Sequence, residues 1–311
     1  MYSISIIIPC YNEVKNIELF LLSFKNLKLT EKYNLEFIFI DDGSNDETWK
    51  IIKNCKDKFK FNIKGEKKLF NQGKDLAILS GLKYVTKNNL VIMDVDQQHP
   101  IKVIENFINI KKDKDIELIL TDRIDKKISF LRKIFSKIYN KIINNKFRNI
   151  KRLNDYIFIS GNYLNFFLKN YNGTSSIKVF ILKSAPSIEK SNIDTISYMS
   201  EERSFGKSKY NYLSLGNIAI RDFNFHSKSL INFIIINILI IGALLFSLIL
   251  FSIVQMFFLS NYLQINFSSI MILMVLIIQL ILLFGICILQ VNLSSFKLQK
   301  NKQENIYEIL E

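Results

Sequence analysis

"LVIMDVDQQHP", Leu90 to Pro100, runs through four apolar residues and then sets two carboxylates, Asp94 and Asp96, one residue apart. Unbroken apolar residues over so short a run mark a strand covered on both faces, of the kind a parallel sheet buries. An ionised carboxylate taken from water without a partner is strongly destabilising, or takes up a proton. Either these acids point at solvent from a turn, or a cation compensates them. The three-residue pattern alone favours the turn, so the neighbouring segments decide.

Two further segments read the same way: "SISIIIP" (Ser3 to Pro9) and "LEFIFIDD" (Leu35 to Asp42). Between them, Asn16 to Phe24 and Asp46 to Cys55 have helical spacing, and Asn71 to Val85 places apolar residues at 76, 78, 79, 82 and 85. Alternating strands and helices predict an α/β domain with a mostly parallel, Rossmann-like sheet. In such sheets ligands bind outside the carboxyl ends of the strands. Asp41 and Asp42 end one strand, Asp94 and Asp96 another, and Tyr11, Asn12 and Glu13 follow the first. Polar groups from three strand ends on one edge predict a binding site there.

The 311-residue chain has room for more than this domain. Between Lys228 and Lys297 there is no Asp, Glu, Lys, Arg or His, and the segments 230–260 and 268–290 each exceed the roughly 20 apolar residues that cross a bilayer. The expected organisation is therefore a domain over 1–228, a membrane domain of two transmembrane helices over 229–296, and a tail over 297–311. Arg221 and Lys228 precede the first span, and Lys297, Lys300 and Lys302 follow the second. The turn between, Asn261 to Phe267, is uncharged. The positive-inside rule then places both termini and the domain in the cytoplasm. "MYSISIIIPCYNE" lacks the basic start and the longer apolar run of a signal peptide. Cys10, Cys55 and Cys287 are odd in number and scattered, so no disulfide framework is expected. The net charge of +14 suits anionic lipid, phosphorylated substrates or nucleic acid; two membrane spans favour the first two and no nucleic-acid partner is expected.

From Leu131 to Phe147, "LRKIFSKIYNKIINNKF" forms one apolar helical face, with Arg132, Lys133, Lys137, Lys141 and Lys146 off it. Two readings fit equally: a helix lying in the headgroup region (about 130–147), or one packed on the domain with a solvated basic face. Other residues have plain explanations. Glu13 and Asp46 suit helix caps, Trp49 suits a helix packed on the sheet, and His99 before Pro100 suits an exposed turn.

Asp94 and Asp96 with the Gln98 amide form a hard, oxygen-rich donor set suited to Mg²⁺ or Mn²⁺, which bind through few protein ligands together with substrate phosphates. "IIIPCYNE", "IFIDDGSNDET", "NQGKDLAILSGL", "MDVDQQHP" and "SEERSFGKSKY" occur in that order. They resemble the motifs of family 2 glycosyltransferases of the GT-A fold, and more narrowly the polyprenyl-phosphate glycosyltransferases, the group of dolichyl-phosphate mannose synthase and its bacterial relatives. The resemblance implies inverting transfer of one sugar from a UDP- or GDP-sugar to undecaprenyl or dolichyl phosphate. By motif it assigns Pro9, Tyr11, Glu13 and Asp42 to the nucleoside, and Asp94 and Asp96 to the diphosphate and metal, with Asp96 and Gln98 as direct ligands. It assigns Arg123, Arg203 and Lys209 to donor phosphates, Lys74 to substrate binding, and Asp155 to the neighbourhood of the reaction centre. The first span can serve a homo-oligomer as well as an anchor.

Two departures stand out. The family's Gly-Asp-Phe-Arg-Leu is here Asn154-Asp155-Tyr156-Ile157, which removes a basic contact for the acceptor phosphate; Lys151 or Arg152 are the substitutes in reach by sequence. Phe70 stands where relatives often carry Arg. These departures keep open a non-catalytic, degenerate transferase serving as scaffold or nucleotide-sugar sensor. A processive polysaccharide synthase is disfavoured, because its Gln-x-x-Arg-Trp motif is absent and the single Trp, Trp49, lies far too early.

Overall fold

The computed structural model describes residues 1–124, 154–185, 188–201 and 306–310, with isolated positions at 205, 242, 247, 274, 277, 278, 281 and 285. The chain divides into two compact units, Met1–Asp222 with Lys302–Glu311, and Phe223–Asn301.

The first unit is built on an eight-stranded sheet in the order β7-β5-β6-β4-β1-β2-β3-β8. Its strands are β1 Ser3–Cys10, β2 Asn34–Asp41, β3 Asn62–Lys68, β4 Asn89–Ile92, β5 Leu118–Ile124, β6 Ile157–Ser160, β7 Ile193–Met199 and β8 Ile306–Leu310. The pairs β1–β2, β1–β4, β2–β3 and β5–β7 are parallel. Only β6 and β8 run against the rest. The expected strands at β1, β2 and β4 are present, each shifted by a few residues at its ends.

Among the described residues the helices of this unit are α1 Val14–Asn26, α2 Leu29–Lys32, α3 Thr48–Phe59, α4 Lys74–Gly81, α5 Val103–Asp113, α6 Gly161–Asn170 and α7 Ile177–Ser184. Strand side chains alternate, so each face of the sheet meets different helices. Ile4, Ile6, Ile8, Phe37 and Phe39 share one core with Phe20 and Phe24 of α1 and Ile52 of α3. The opposite face is met by α4: a Cβ on Gly81 would lie 2.9 Å from an Ile7 methyl, so only glycine allows α4 to approach that closely. Each fully buried Ile or Phe here contributes roughly 1.5–3 kcal/mol of hydrophobic stabilisation.

The chain moves outward from β1 through β2 to β3 and then returns to β4 on the other side of β1. That reversal opens a crevice at the carboxyl ends of β1 and β4, where helices on opposite faces diverge. Because β6 is antiparallel to β4, with Ile92 paired to Ile157, the residues just before β6 reach the same edge.

At the opposite end of the sheet, Glu36 is fully buried. It accepts hydrogen bonds from Ser5 Oγ (2.7 Å), Thr86 Oγ1 (2.7 Å), Thr86 N (3.2 Å) and Lys64 Nζ (2.9 Å). Burial pushes its carboxyl up, but these donors outweigh it and hold the group below its ordinary value.

β8 was not expected from the tail sequence. It pairs antiparallel with β3, Gly65 opposite Leu310 and Lys67 opposite Glu308, and covers an otherwise open edge. Trp49 of α3 packs on the sheet as expected, 4% exposed, and donates to Glu308 Oε2 (2.7 Å); Lys53 pairs with Oε1 (2.8 Å). Cys10 and Cys55 are both buried, and the Cys10 thiol donates to Ile8 O (3.4 Å).

In the second unit the described positions, Gly242, Ser247, Met274, Ile277, Ile278, Ile281 and Gly285, are helical. Among the described residues no helix is long and apolar enough to cross a membrane. The stretches expected to do so, 230–260 and 268–290, lie outside the described residues apart from those positions, as does the whole basic segment 131–147.

Candidate active site

Two loops form one wall of the crevice and are stitched together. Asn12, in the left-handed region (φ 52°), donates its N–H to Ser44 Oγ (2.8 Å) and accepts from Asn45 N (2.9 Å). Glu13 N donates to Thr48 Oγ1 (2.8 Å). Glu13 holds the cap position of α1 without capping it; its carboxylate instead accepts from Asn16 Nδ2. Asp46 does act at a helix start, accepting from Thr48 N (3.0 Å). Pro9 and Tyr11 are partly buried along this wall.

Asp42 is buried, and its two carboxylate oxygens accept the N–H groups of Gln72 (3.0 Å) and Gly73 (2.7 Å). It therefore fixes the turn that launches α4, whatever else it contacts. The buried Lys68 lies 3.9 Å from it and donates to Leu76 O (2.9 Å) and Gln72 Oε1 (3.2 Å). Burial holds the Lys68 ammonium below its ordinary pKa, with Asp42 opposing that effect. Gly43, at φ 74°, lets this turn close: a Cβ there would lie 2.4 Å from the Phe70 carbonyl carbon. Phe70 itself is 43% exposed.

The first residue of α4 is Lys74. Its Nζ stands 2.5 Å from Asp94 Oδ1 and 3.0 Å from Asp155 Oδ2, so a single ammonium joins two acids that come from separate strands. Lys178, near the start of α7, lies 3.7 Å from the other Asp155 oxygen, Oδ1, which is buried and has no hydrogen-bond partner. Burial pushes both carboxyls up; Lys74 outweighs it at Asp94, and Lys178 with Lys74 outweighs it at Asp155. Both are held below the ordinary carboxylate range, Asp155 far below it.

Asp96 is 4% exposed and accepts from Gln98 N (3.2 Å), within a tight turn where Gln97 adopts φ 63°. His99 is not exposed as expected but 2% exposed, because its ring stacks on Tyr156 (centroids 4.8 Å apart) and meets the edge of Tyr198. Its Nδ1 accepts the Asp94 N–H (3.0 Å), which leaves the ring proton on Nε2. Burial lowers its pKa to about 4, with Lys74 and Arg123 adding to the effect against Asp94, so the ring is neutral near pH 7. Arg123, on β5, is partly buried and close enough to act on His99. Arg203 and Lys209 lie outside the described residues.

The family model for glycosyl transferase family 2 matches residues 5–170. The chain belongs to this family. It is 32% identical over 216 residues to the putative glycosyltransferase CsbB of Bacillus subtilis (strain 168), a match covering 69% of this chain and 64% of that one. It is 29% identical over 229 residues to the prophage bactoprenol glucosyl transferase homolog of Escherichia coli (strain K12), covering 70% of each. The fold is similar to that of glucosyl-3-phosphoglycerate synthase from Mycobacterium tuberculosis, crystallised with Mn²⁺, UDP and phosphoglyceric acid. There the TM-score is 0.51 and the identity 15%, over 70% of this chain and 75% of that one. The sheet order and these matches identify the first unit as a GT-A fold.

In this glycosyltransferase the residues that depart from the family pattern have structural work of their own. The Asn154 amide oxygen accepts from Thr121 Oγ1 (2.8 Å) and Tyr156 N (2.7 Å), and its nitrogen donates to Tyr198 OH (3.1 Å). Tyr156 carries His99 on its face and donates its hydroxyl to Pro100 O (3.0 Å). Together they clamp Asp155 and the Asp94–Pro100 turn from both sides. Ile157 is buried in β6 opposite Ile92. The sequence alone did not point to Lys68, Lys178, the hydrogen-bonding role of Asn154 or the burial of His99. The one available signal was that Asn154 and Tyr156 broke the family pattern beside a retained Asp.

Proposed function

We propose that this glycosyltransferase moves one sugar, with inversion, from a UDP- or GDP-sugar to the phosphate of a polyprenyl carrier such as undecaprenyl or dolichyl phosphate. The observation that carries this reading is the convergence of Asp94 and Asp155 on Lys74 at the switch point of the sheet. A nucleoside diphosphate leaves as an anion, and Lys74 and Arg123 supply positive charge beside its path. A phosphate monoester acceptor is already anionic near pH 7, so its attack needs no general base. Asp155, held ionised, orients Lys74 rather than shuttling a proton. The relative named as a bactoprenol glucosyl transferase homolog supports a polyprenyl acceptor.

A divalent ion fits this reading. Asp94, one-third exposed at the rim, and Asp96 beside it offer hard carboxylate oxygens, with the Gln98 amide next in the chain. Mg²⁺ and Mn²⁺ take few protein ligands when phosphates complete the shell; among the described residues no group of three or more His, Cys, Asp or Glu is arranged to hold a metal ion by itself. Bound there, the ion would neutralise charge on the diphosphate.

Membrane attachment through 230–260 and 268–290, with both termini cytoplasmic, belongs to the same proposal. Met274, Ile277 and Ile281 are helical, lie on one face and are about half exposed, as lipid-facing residues are. The chain returns to the first unit's sheet as β8, which supports an even number of crossings. The test is sugar transfer in membranes from radiolabelled nucleotide-sugars to polyprenyl phosphate. Lipid-linked product, lost in Asp96→Ala, is expected; nucleotide binding without any lipid product would identify a degenerate scaffold or sensor instead.

A further inference from the structure

Ile157, where the resembled motif carries arginine, is sealed in the sheet and offers no charge at the crevice. We infer that Lys178 supplies a cation there, seating the phosphate monoester of the acceptor beside Asp155 and Lys74. The inference rests on the proposed transfer to a lipid phosphate and adds to it the residue that receives the acceptor.

Three observations carry it. First, Lys178 makes no hydrogen bond among the described residues; its one ionic neighbour, Asp155 Oδ1, is 3.7 Å away, beyond hydrogen-bond reach. An ammonium has three donors, and this one keeps all of them for another acceptor while its side chain is 30% exposed. A lysine that merely neutralised Asp155 would close on the orphaned oxygen. Second, its position is built. Asp75, the neighbour of Lys74 on α4, accepts the N–H of Ile177 (3.1 Å), tying the first turn of α7 to the first turn of α4 across 102 residues of sequence. The turn before α7 is pressed on the same helix, since a Cβ on Gly173 would lie 2.8 Å from a Leu76 methyl. Third, Asp155 lies between the two ammonium groups, one on each oxygen. A tetrahedral phosphate that approaches Asp155 therefore meets a cation on either side, while the acid itself keeps the two lysines apart. Lys151 and Arg152, the substitutes nearest in sequence, lie outside the described residues.

A phosphate at this seat has two sources, the acceptor monophosphate or the donor diphosphate, and the experiment separates them. The full chain in detergent is assayed for binding of farnesyl monophosphate and of UDP and GDP, and, in parallel, for KM toward polyprenyl phosphate and toward the nucleotide-sugar. Lys178→Gln is expected to weaken farnesyl monophosphate binding and raise the acceptor KM about tenfold or more, as loss of a charge-assisted contact does. Nucleotide binding and the donor KM should change less than about twofold by the same reasoning. Lys178→Arg should restore most of the acceptor affinity. Lys183→Gln, on an exposed position of α7, controls for general loss of charge, and unchanged melting temperatures control for folding. A fall in nucleotide affinity instead, or no change in either ligand, overturns the assignment. If the wild-type chain binds farnesyl monophosphate through Lys178 yet transfers no sugar, the phosphate seat stands and the transfer reading falls.

Discussion

The two ends of the central sheet each hold a carboxylate next to lysine, Glu36 fully buried and Asp155 partly buried, and they are finished differently. At the amino end, Glu36 takes four hydrogen bonds on two oxygens, from three separate segments of chain, and no buried polar atom there is left over. At the carboxyl end, Asp155 shares Lys74 with Asp94, keeps one oxygen without a hydrogen bond and stands beside a lysine with donors to spare. A matched buried charge is a structural fastening, because any new contact would have to replace one already made. An incompletely matched one keeps binding capacity, held in place by its surroundings at some cost in stability. Glu36 is the more deeply buried of the two, and the count of unfilled donors and acceptors separates them further.

The strongest way to break this comparison is to remove Glu36. Glu36→Ala strands Lys64, Ser5 and Thr86 and should cost about 3 kcal/mol of stability, the range for breaking a buried pair, read as a lowered urea midpoint. Its pH dependence follows from the lowered folded pKa. Above the usual Glu value of 4.5 the stabilisation is fully present, and it is lost as pH falls through the still lower folded value. Glu36→Gln should flatten that acid slope in the urea midpoint, and an unaltered slope would show that Glu36 is not the fastening described.

At the other end the effect should fall on rate. Lys74→Met removes the ammonium that joins Asp94 to Asp155, and transfer should drop about 100-fold, the cost of losing one preorganised charge near a leaving group. The urea midpoint should shift little, since Asp94 is one-third exposed and Asp155 retains Lys178. A large stability loss with little loss of rate would reverse the two ends. Between these extremes lies Tyr156→Phe, which deletes only the hydrogen bond to Pro100 O and keeps the ring under His99. About 1 kcal/mol of stability is expected to go with it, accompanied by a smaller fall in rate than for Lys74→Met.

How far each end could be read from sequence follows from the range of the interactions that build it. β1, β2 and β4 announce themselves locally as apolar runs, and the acids that end them are visible in the same few residues. Hence the parallel sheet and the active edge were legible. β3 reads as a polar segment, "NIKGEKK", since Glu66 and Lys68 are buried there through partners in Tyr84 and Leu76 that no local pattern reveals. β6 is four residues long and antiparallel, and it brings Asp155 to the edge only because β4 is its neighbour. Lys178 sits in "IKVFILKS", an apolar helical stretch like many others; its meaning depends on a hydrogen bond to Asp75. Residue types were legible, then, where one segment suffices, and illegible where two distant segments must meet.

β8 is the extreme case, joined to β3 across more of the chain than any other strand, and it offers the finest test of that distinction. Glu308 receives the indole N–H of Trp49 and pairs with Lys53 at a partly exposed position. Exposed pairs of this kind contribute at most about 1 kcal/mol, so Glu308→Ala should leave both the urea midpoint and sugar transfer almost unchanged. Trp49 is the only tryptophan, 4% exposed, and so reports this contact alone. Its emission should shift to longer wavelength in Glu308→Ala, and further in a chain truncated after residue 305, as the indole loses its partner and gains water. Unchanged emission in the truncated chain would mean that β8 does not cover this edge in solution, leaving the β3 strand open to other pairing.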